Sequence, residues 1–359
     1  MMIKKYPFFL KSTVILFGLI LFFYVLLNLR EILVPLAFAV LIAILLNPIN
    51  NWLMQKKIPK ILSIAISILI AFLILVAILF FFYSQLASFR TEIPMLKKKF
   101  AEMLAALQQW LQGSMGIPMA QQQQYVASTK ASIKPLIGAT IGDLLGSLTA
   151  TFLLPVYTFL LLYYKTILLN FLFEVFEDDH SKEVGIVIHE TKGAIQSYMI
   201  GLLLEGLIVA TLNSIALMIL GVKYAILLGV IGAVVNVLPF IGGILSVLFP
   251  LIIATVTKDG YNTQIGIVIS YIIIQFVDNH YLVPVIVASK VKINALISIV
   301  IVLLGNALWG IPGMFLSIPF IGVLKIIFDR IPEMKAWGRL LGTEVPTRRR
   351  SGRVVKEKI

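Results

Sequence analysis

The chain has no cysteine and only three histidines, His180, His189 and His280, among its 359 residues. Without cysteine there can be neither a disulfide framework nor a thiolate metal site. Charge is scarce as well, at 13% Asp, Glu, Lys and Arg, against about 25% in an ordinary soluble chain. Signatures of catalysis are missing too. There is no Gly-x-Ser-x-Gly elbow, and His189-Glu190 opens like a zinc-protease helix but has Gly193 where the second histidine must stand. No Walker motif occurs, so ATP does not drive the protein directly. These absences lead us to expect no enzyme, no cofactor and no metal site.

What the chain does have is apolar length. Hydrophobic residues make up 60%, and several runs exceed the roughly 18 residues that mark a membrane helix. The reading is an all-α polytopic membrane protein whose first partner is the lipid bilayer. A bilayer core is roughly 30 Å thick and takes about 20 helical residues. The runs 12–29, 32–53, 61–83, 145–164, 198–220 and 263–284 fit one crossing each. The first follows Lys4, Lys5 and Lys11 like a signal sequence, but it lacks a small-x-small cleavage site and reads as a retained span.

Two further runs, 224–257 and 293–328, are too long for one crossing and are broken in the middle. The first break is Asn236-Val-Leu-Pro-Phe-Ile-Gly-Gly, with Pro239, Gly242 and Gly243; the second is Trp309-Gly-Ile-Pro-Gly, with Gly310, Pro312 and Gly313. Proline removes a donor and glycine permits a reversal. Backbone broken at membrane depth has to be packed in protein or line a wet cavity, which is what a transport pathway needs. As re-entrant hairpins, the arms of these runs reach only about 21–26 Å at 1.5 Å per residue, short of a crossing. As single kinked spans they would cross once each. Lysine placement favours the hairpins by one net residue, so we expect about eight membrane segments, six full spans and two hairpins. A span plus hairpin (198–257) is then followed by the same pair inverted (263–328), the arrangement that points to a transporter's binding site.

The lysine and arginine bias places both termini in the cytoplasm, since Lys56, Lys57, Lys60 and the basic tail would lie on the same side as the N-terminus. The tail from Arg330 onward carries nine Lys or Arg against three Glu. With no aromatic interleaving it points to a membrane surface and not to nucleic acid. The expected organisation is three spans (1–84), a helical extracytoplasmic segment (85–144), a fourth span with a cytoplasmic amphipathic helix (145–197), a transport core (198–328) and a basic tail (329–359). In the extracytoplasmic segment, Leu96, Phe100, Met103, Leu107 and Leu111 recur at helical spacing, 121–124 reads as a polar linker, and Ile133, Ile137 and Ile141 suggest a second helix. Val184, Val187, Ile188, Thr191, Ile195 and Tyr198 form one face of a helix expected to lie on the membrane.

Candidate functional residues follow from cost. A charge at the bilayer centre costs on the order of 3 kcal/mol on insertion scales, and Glu205 is the one acid in the middle of a span. It could carry a proton, or simply hydrogen-bond a neighbouring helix. Gln275, Asp278 and Asn279 share a helix face and could hold a cation or polar solute, or sit at the interface. Asn213 and Asn236 are isolated amides, each suited to an interhelical bond or to a ligand.

Two blocks resemble the autoinducer-2 exporter family, also called PerM-like permeases. One is Val235-Asn-Val-Leu-Pro-Phe-Ile-Gly-Gly; the other runs from Val277-Asp-Asn-His-Tyr-Leu-Val-Pro to Gly310-Ile-Pro-Gly-Met-Phe-Leu-Ser-Ile-Pro319. The resemblance implies a bacterial cytoplasmic-membrane transporter, with members linked to export of autoinducer-2 and others to sodium or lithium/proton antiport. One departure is Asn294-Ala295, where the family commonly has His-Pro. We therefore expect an exporter of a small polar solute coupled to H⁺ or Na⁺, and a homo-oligomer. The alternatives are a monovalent cation/proton antiporter and a non-transporting scaffold. The hairpin tips are expected to meet beside Glu205, Asn236 and the Gln275–Asn279 stripe.

Overall fold

The computed structural model describes residues 7–90, 93–119, 121–122, 124, 148–176, 181–238, 242–258, 260–287 and 293–343. Pro239, the second extracytoplasmic helix around Ile133–Ile141 and the basic tail beyond Thr343 lie outside the described residues. The described elements are helical: α1 Phe8–Asn28, α2 Arg30–Gln55, α3 Lys60–Arg90, α4 Ile93–Met115, α5 Leu148–Tyr163, α6 Lys165–Val175, α7 Ser181–Ile219, α8 Ala225–Asn236, α9 Gly242–Thr257, α10 Asn262–Val277, α11 Ala295–Arg330 and α12 Lys335–Leu341. α10 continues as a π-helix over Asp278–Val287, and a 3₁₀ turn, Pro332–Met334, precedes α12. Among the described residues, six helices are long and apolar enough to cross a membrane, or seven if α5 and α6, bent by 64° at Tyr164, count as one.

Burial is inverted relative to a soluble protein. Phe17, Phe22, Phe72, Leu79 and most of α1 and α3 are exposed, while Asn47, Asn50, Ser63, Ser67, Glu205, Asn213 and Asp278 are buried. Apolar side chains lose nothing by facing lipid, whereas polar ones must find partners inside. Thus Ser63 donates to the backbone oxygen of Asn50 at 2.8 Å and to its Oδ1 at 2.7 Å. Lys165 reaches Asn47 Oδ1 at 2.9 Å across 118 residues of sequence.

Both broken runs are hairpins. In the first, α8 and α9 have 12 and 16 residues, about 18 and 24 Å at 1.5 Å per residue. A Cβ on Gly232 would lie 3.5 Å from Ser246 Cβ, and one on Gly221 would lie 3.2 Å from Lys258 Nζ. The arms therefore touch at mid-length and again at the base. In the second, Gly310 adopts φ 63° after Trp309 at φ −135°, a reversal that favours glycine. Ser317 Oγ then donates to Ile301 O at 3.0 Å. Sixteen residues of straight helix would separate these groups by about 24 Å, so α11 is doubled back on itself. Among the described residues, six stretches of crossing length (α1, α2, α3, the α5–α6 pair, α7, and α10 with its π-helix) and two hairpins carry the fold.

α7 is the axis. Its 39 residues extend about 58 Å, longer than the bilayer core. The helix expected to lie flat on the membrane over 184–198 is instead its first part. Ile195 and Met199 pack with Leu41 of α2 and Leu316 of α11, and this burial carries the helix straight on. At its other end Leu217 joins Val222, Ala225, Leu228, Ile253, Ala254, Ile267 and Tyr271 in a core shared with the first hairpin and α10. The second hairpin is based at the opposite end, where Arg330 pairs with Glu190 and Asn294 Nδ2 donates to Leu340 O at 2.6 Å. α4 forms over its expected stretch. The expected linker partly folds back, because Gln122 Nε2 donates to Ile117 O at 2.9 Å and Gln108 O at 3.2 Å.

Candidate functional site

Glu205 lies within α7 and is 4% exposed; Asp278, 2% exposed, opens the π-helix. A π-turn widens a helix by one residue and recurs at functional sites. Here it begins at the acid. The two elements approach closely because position 201, one turn before Glu205, is glycine: a Cβ there would meet the backbone of Ile286 and Val287. Asn236 ends α8, so the tip of the first hairpin delivers its amide to the same place.

The geometry is an acid pair bridged by an amide. Asn236 Nδ2 donates to Asp278 Oδ2 at 2.9 Å and to Glu205 Oε1 at 3.3 Å. Gln275 Nε2 is 3.4 Å from the same Asp278 oxygen. Asp278 Oδ1 is buried with no hydrogen-bond partner. Gly243 makes room for Gln275, since a Cβ at 243 would come within 2.6 Å of Gln275 Cδ.

A cavity of about 1110 Å³ ends at this pair. α7 contributes Tyr198, Leu202 and Glu205; the first hairpin Asn236, Gly243 and Val247; α10 and the π-helix Tyr271, Gln275, Asp278 and Asn279; α11 Ile318, Pro319 and Val323. Thr343 and Ile293, beside α12, also line it. Among the described residues that line it there is no lysine, arginine or histidine. One turn from Asn236 along α8, a Cβ on Gly232 would lie 3.3 Å from Asn213 Nδ2 and 3.5 Å from the Tyr271 hydroxyl. Asn213 Oδ1 and that hydroxyl are buried without partners.

Of the residues singled out in the sequence, Glu205, Asn236, Gly243, Gln275, Asp278 and Asn279 meet at the cavity. Gly242 forms the turn, where a Cβ would strike the Val235 oxygen and Asn236. Asn213 lies behind the cavity wall. Gly310, Pro312 and Gly313 are not among its described lining residues, and the Pro239 end of the first hairpin lies outside the described residues. The second tip is held elsewhere: Trp309 Nε1 donates to Leu26 O in α1 at 3.0 Å, and Phe315 stacks on Phe38 with centroids 5.5 Å apart. Its later arm, through Pro319 and Gly322, forms the wall instead. Gly201 and Gly305 went unnoticed in the sequence. A Cβ on Gly305 would strike Ser317 and the Gly313 oxygen, and small residues at crossing points were the available signal. At Asn294, the departure from the family pattern, the side chain caps α11 by accepting from Ile297 N at 2.9 Å.

Helices with polar side chains turned inward, two hairpins and a cavity walled by arms of both define a multi-pass membrane protein with the build of a transporter. The chain belongs to the AI-2E transporter family, whose model, described as "AI-2E family transporter", matches residues 14–333. Among similar proteins, the "Putative transport protein YrrI" of Bacillus subtilis is 24% identical over 326 residues, covering 85% of this chain and 88% of its own. The "AI-2 transport protein TqsA" of Escherichia coli is 23% identical over 302 residues, covering 84% and 86%. The "Putative permease PerM" of Escherichia coli is 26% identical over 202 residues, covering 55% and 57%. These relatives are named as transport proteins and permeases, not as enzymes.

Proposed function

We propose that the protein is an ion-coupled secondary exporter whose coupling site is the Glu205–Asp278 pair. One observation carries this reading: two buried carboxyls share the Asn236 amide in a cavity whose described lining holds no basic side chain. Burying charge without a partner is costly, and a proton or a monovalent cation, Na⁺ or Li⁺, is the partner such a pair accepts. Asn236 belongs to a re-entrant tip that stops short of a crossing. Loading the pair therefore bears directly on the hairpin, as alternating access requires. The half-helix ends at Asn236 and Gly242 add dipoles to the same place.

The transported solute is expected to be small and polar, and the name of the TqsA relative makes autoinducer-2 the first to try. Pure cation/proton exchange is the second reading, favoured by the same bridged pair. Membership of the family supports a bacterial cytoplasmic membrane, and lysine placement supports both termini inside. The outer faces of α1 and α3 suit lipid or a second copy, so we include a homo-oligomer, which a mass measurement in detergent decides.

The test is proton flux in liposomes containing the full-length protein, followed with an internal pH dye while Na⁺ or Li⁺ is added outside. Flux in wild type that is lost in Glu205→Gln supports the coupling site. Unchanged flux in the variant removes Glu205 from it. Autoinducer-2 uptake into the same vesicles is the second arm.

A further inference from the structure

The cavity has a wall and an opening as well as a polar end, and together they restrict what it can carry. The polar end is rich in acceptors. Asn236 and Gln275 turn their amide nitrogens to the carboxyls, which leaves their own carbonyl oxygens as acceptors. Asp278 Oδ1 is buried and unpartnered. A buried acceptor without a donor is costly; a proton shared between the two carboxyls relieves it, and so does a ligand that brings N–H groups and positive charge. Among the described lining residues an anion finds no cationic side chain.

The rest of the lining is largely apolar, with Leu202, Val247, Val268 and Ile318 among it. At about 1110 Å³ the space lies just above the roughly 300–1,000 Å³ usual for ligand pockets. A small polar solute would leave most of the wall bare. Two residues that line the cavity on the α9–α10 side, Ile244 and Ile272, are nevertheless 69% and 63% exposed. In a membrane those faces meet acyl chains.

We propose that the cavity carries an amphiphilic amine that enters from the bilayer, its protonated nitrogen held by Glu205 and Asp278 and its apolar body along the α9–α10 wall. This rests on the cavity being the transport vestibule. It also supplies a coupling rule. The ammonium group and a proton or Na⁺ compete for the same oxygens, so loading one positive charge releases another, and export of the amine is exchange.

The experiment uses full-length protein in nanodiscs, with empty nanodiscs subtracted, and compares phenylbutylamine with phenylbutanol. These match in apolar body and differ in charge and donors. The expected result is saturable binding of the amine, at least about tenfold tighter than the alcohol, the worth of one charge-assisted hydrogen bond. Asp278→Asn should abolish that preference, and Glu205→Gln should weaken it; if either variant fails to fold, the wild-type comparison decides alone. Equal binding of amine and alcohol overturns the proposal and leaves an apolar groove for lipid tails. No binding of either, with cation-driven proton flux intact, sinks this inference and spares the coupling site. Carboxyl-dependent amine binding without any Na⁺ or Li⁺ response does the reverse.

Discussion

Asn236 and Asp278 are joined by a 2.9 Å hydrogen bond across 42 residues of sequence, tying a hairpin tip that does not cross the membrane to a helix that does. The same amide nitrogen serves Glu205. Removing it leaves two buried carboxyls without their common donor. We expect Asn236→Leu to cost about 1–3 kcal/mol, read by thermal or denaturant unfolding in detergent. Cation-driven proton flux should fall at least about tenfold. Wild-type flux in this variant would mean that the bridge is not part of coupling.

Gly243→Ala should separate stability from function. The added methyl meets the end of the flexible Gln275 side chain, which can swing aside, so unfolding should shift by less than about 1 kcal/mol. Swinging aside takes Gln275 away from Asp278, and flux should drop. A double variant with Gln275→Ala should be no worse than Gly243→Ala alone, the non-additivity expected of groups in contact.

The second hairpin is directly testable because the chain has no native cysteine. Ile301→Cys with Ser317→Cys should cross-link under mild oxidation, since the native Ser317 hydroxyl lies 3.0 Å from Ile301 O and disulfides need Cα atoms within about 7 Å. A straight helix holds these positions about 24 Å apart. Absence of the cross-link in folded protein would rule out the reversal at Gly310.

Tyr271→Phe removes a buried hydroxyl that has no partner, not a formed bond. The variant should match wild type or gain up to about 1–3 kcal/mol, measured by unfolding. A loss of more than about 1 kcal/mol would indicate that the hydroxyl holds a water molecule or an ion together with Asn213.

Much of this molecule was legible in its sequence, for reasons that also mark where legibility stopped. Apolar run length fixed the crossings, because lipid thickness is a local constraint on a continuous stretch. Gly242, Gly243 and Gly310 marked the reversals because a chain that turns at membrane depth needs residues without side-chain restrictions. Glu205 stood out by its cost. What no local pattern contains is partnership at a distance. Asn236 finds Glu205 across 31 residues and Trp309 finds Leu26 across 283. The latter bond takes the second tip away from the acids, where symmetry alone had suggested it would go. The amphipathic stretch before Tyr198 has the period of a surface helix, but Leu41 and Leu316 cover it, and period alone does not reveal a covering neighbour. The π-turn at Asp278 was equally hidden, since one extra residue per turn barely alters an apolar pattern.

α7 runs unbroken from Ser181 to Ile219, with one hairpin rooted at each end. A single unbroken rod therefore carries the bases of both hairpins, and no joint in it separates one base from the other.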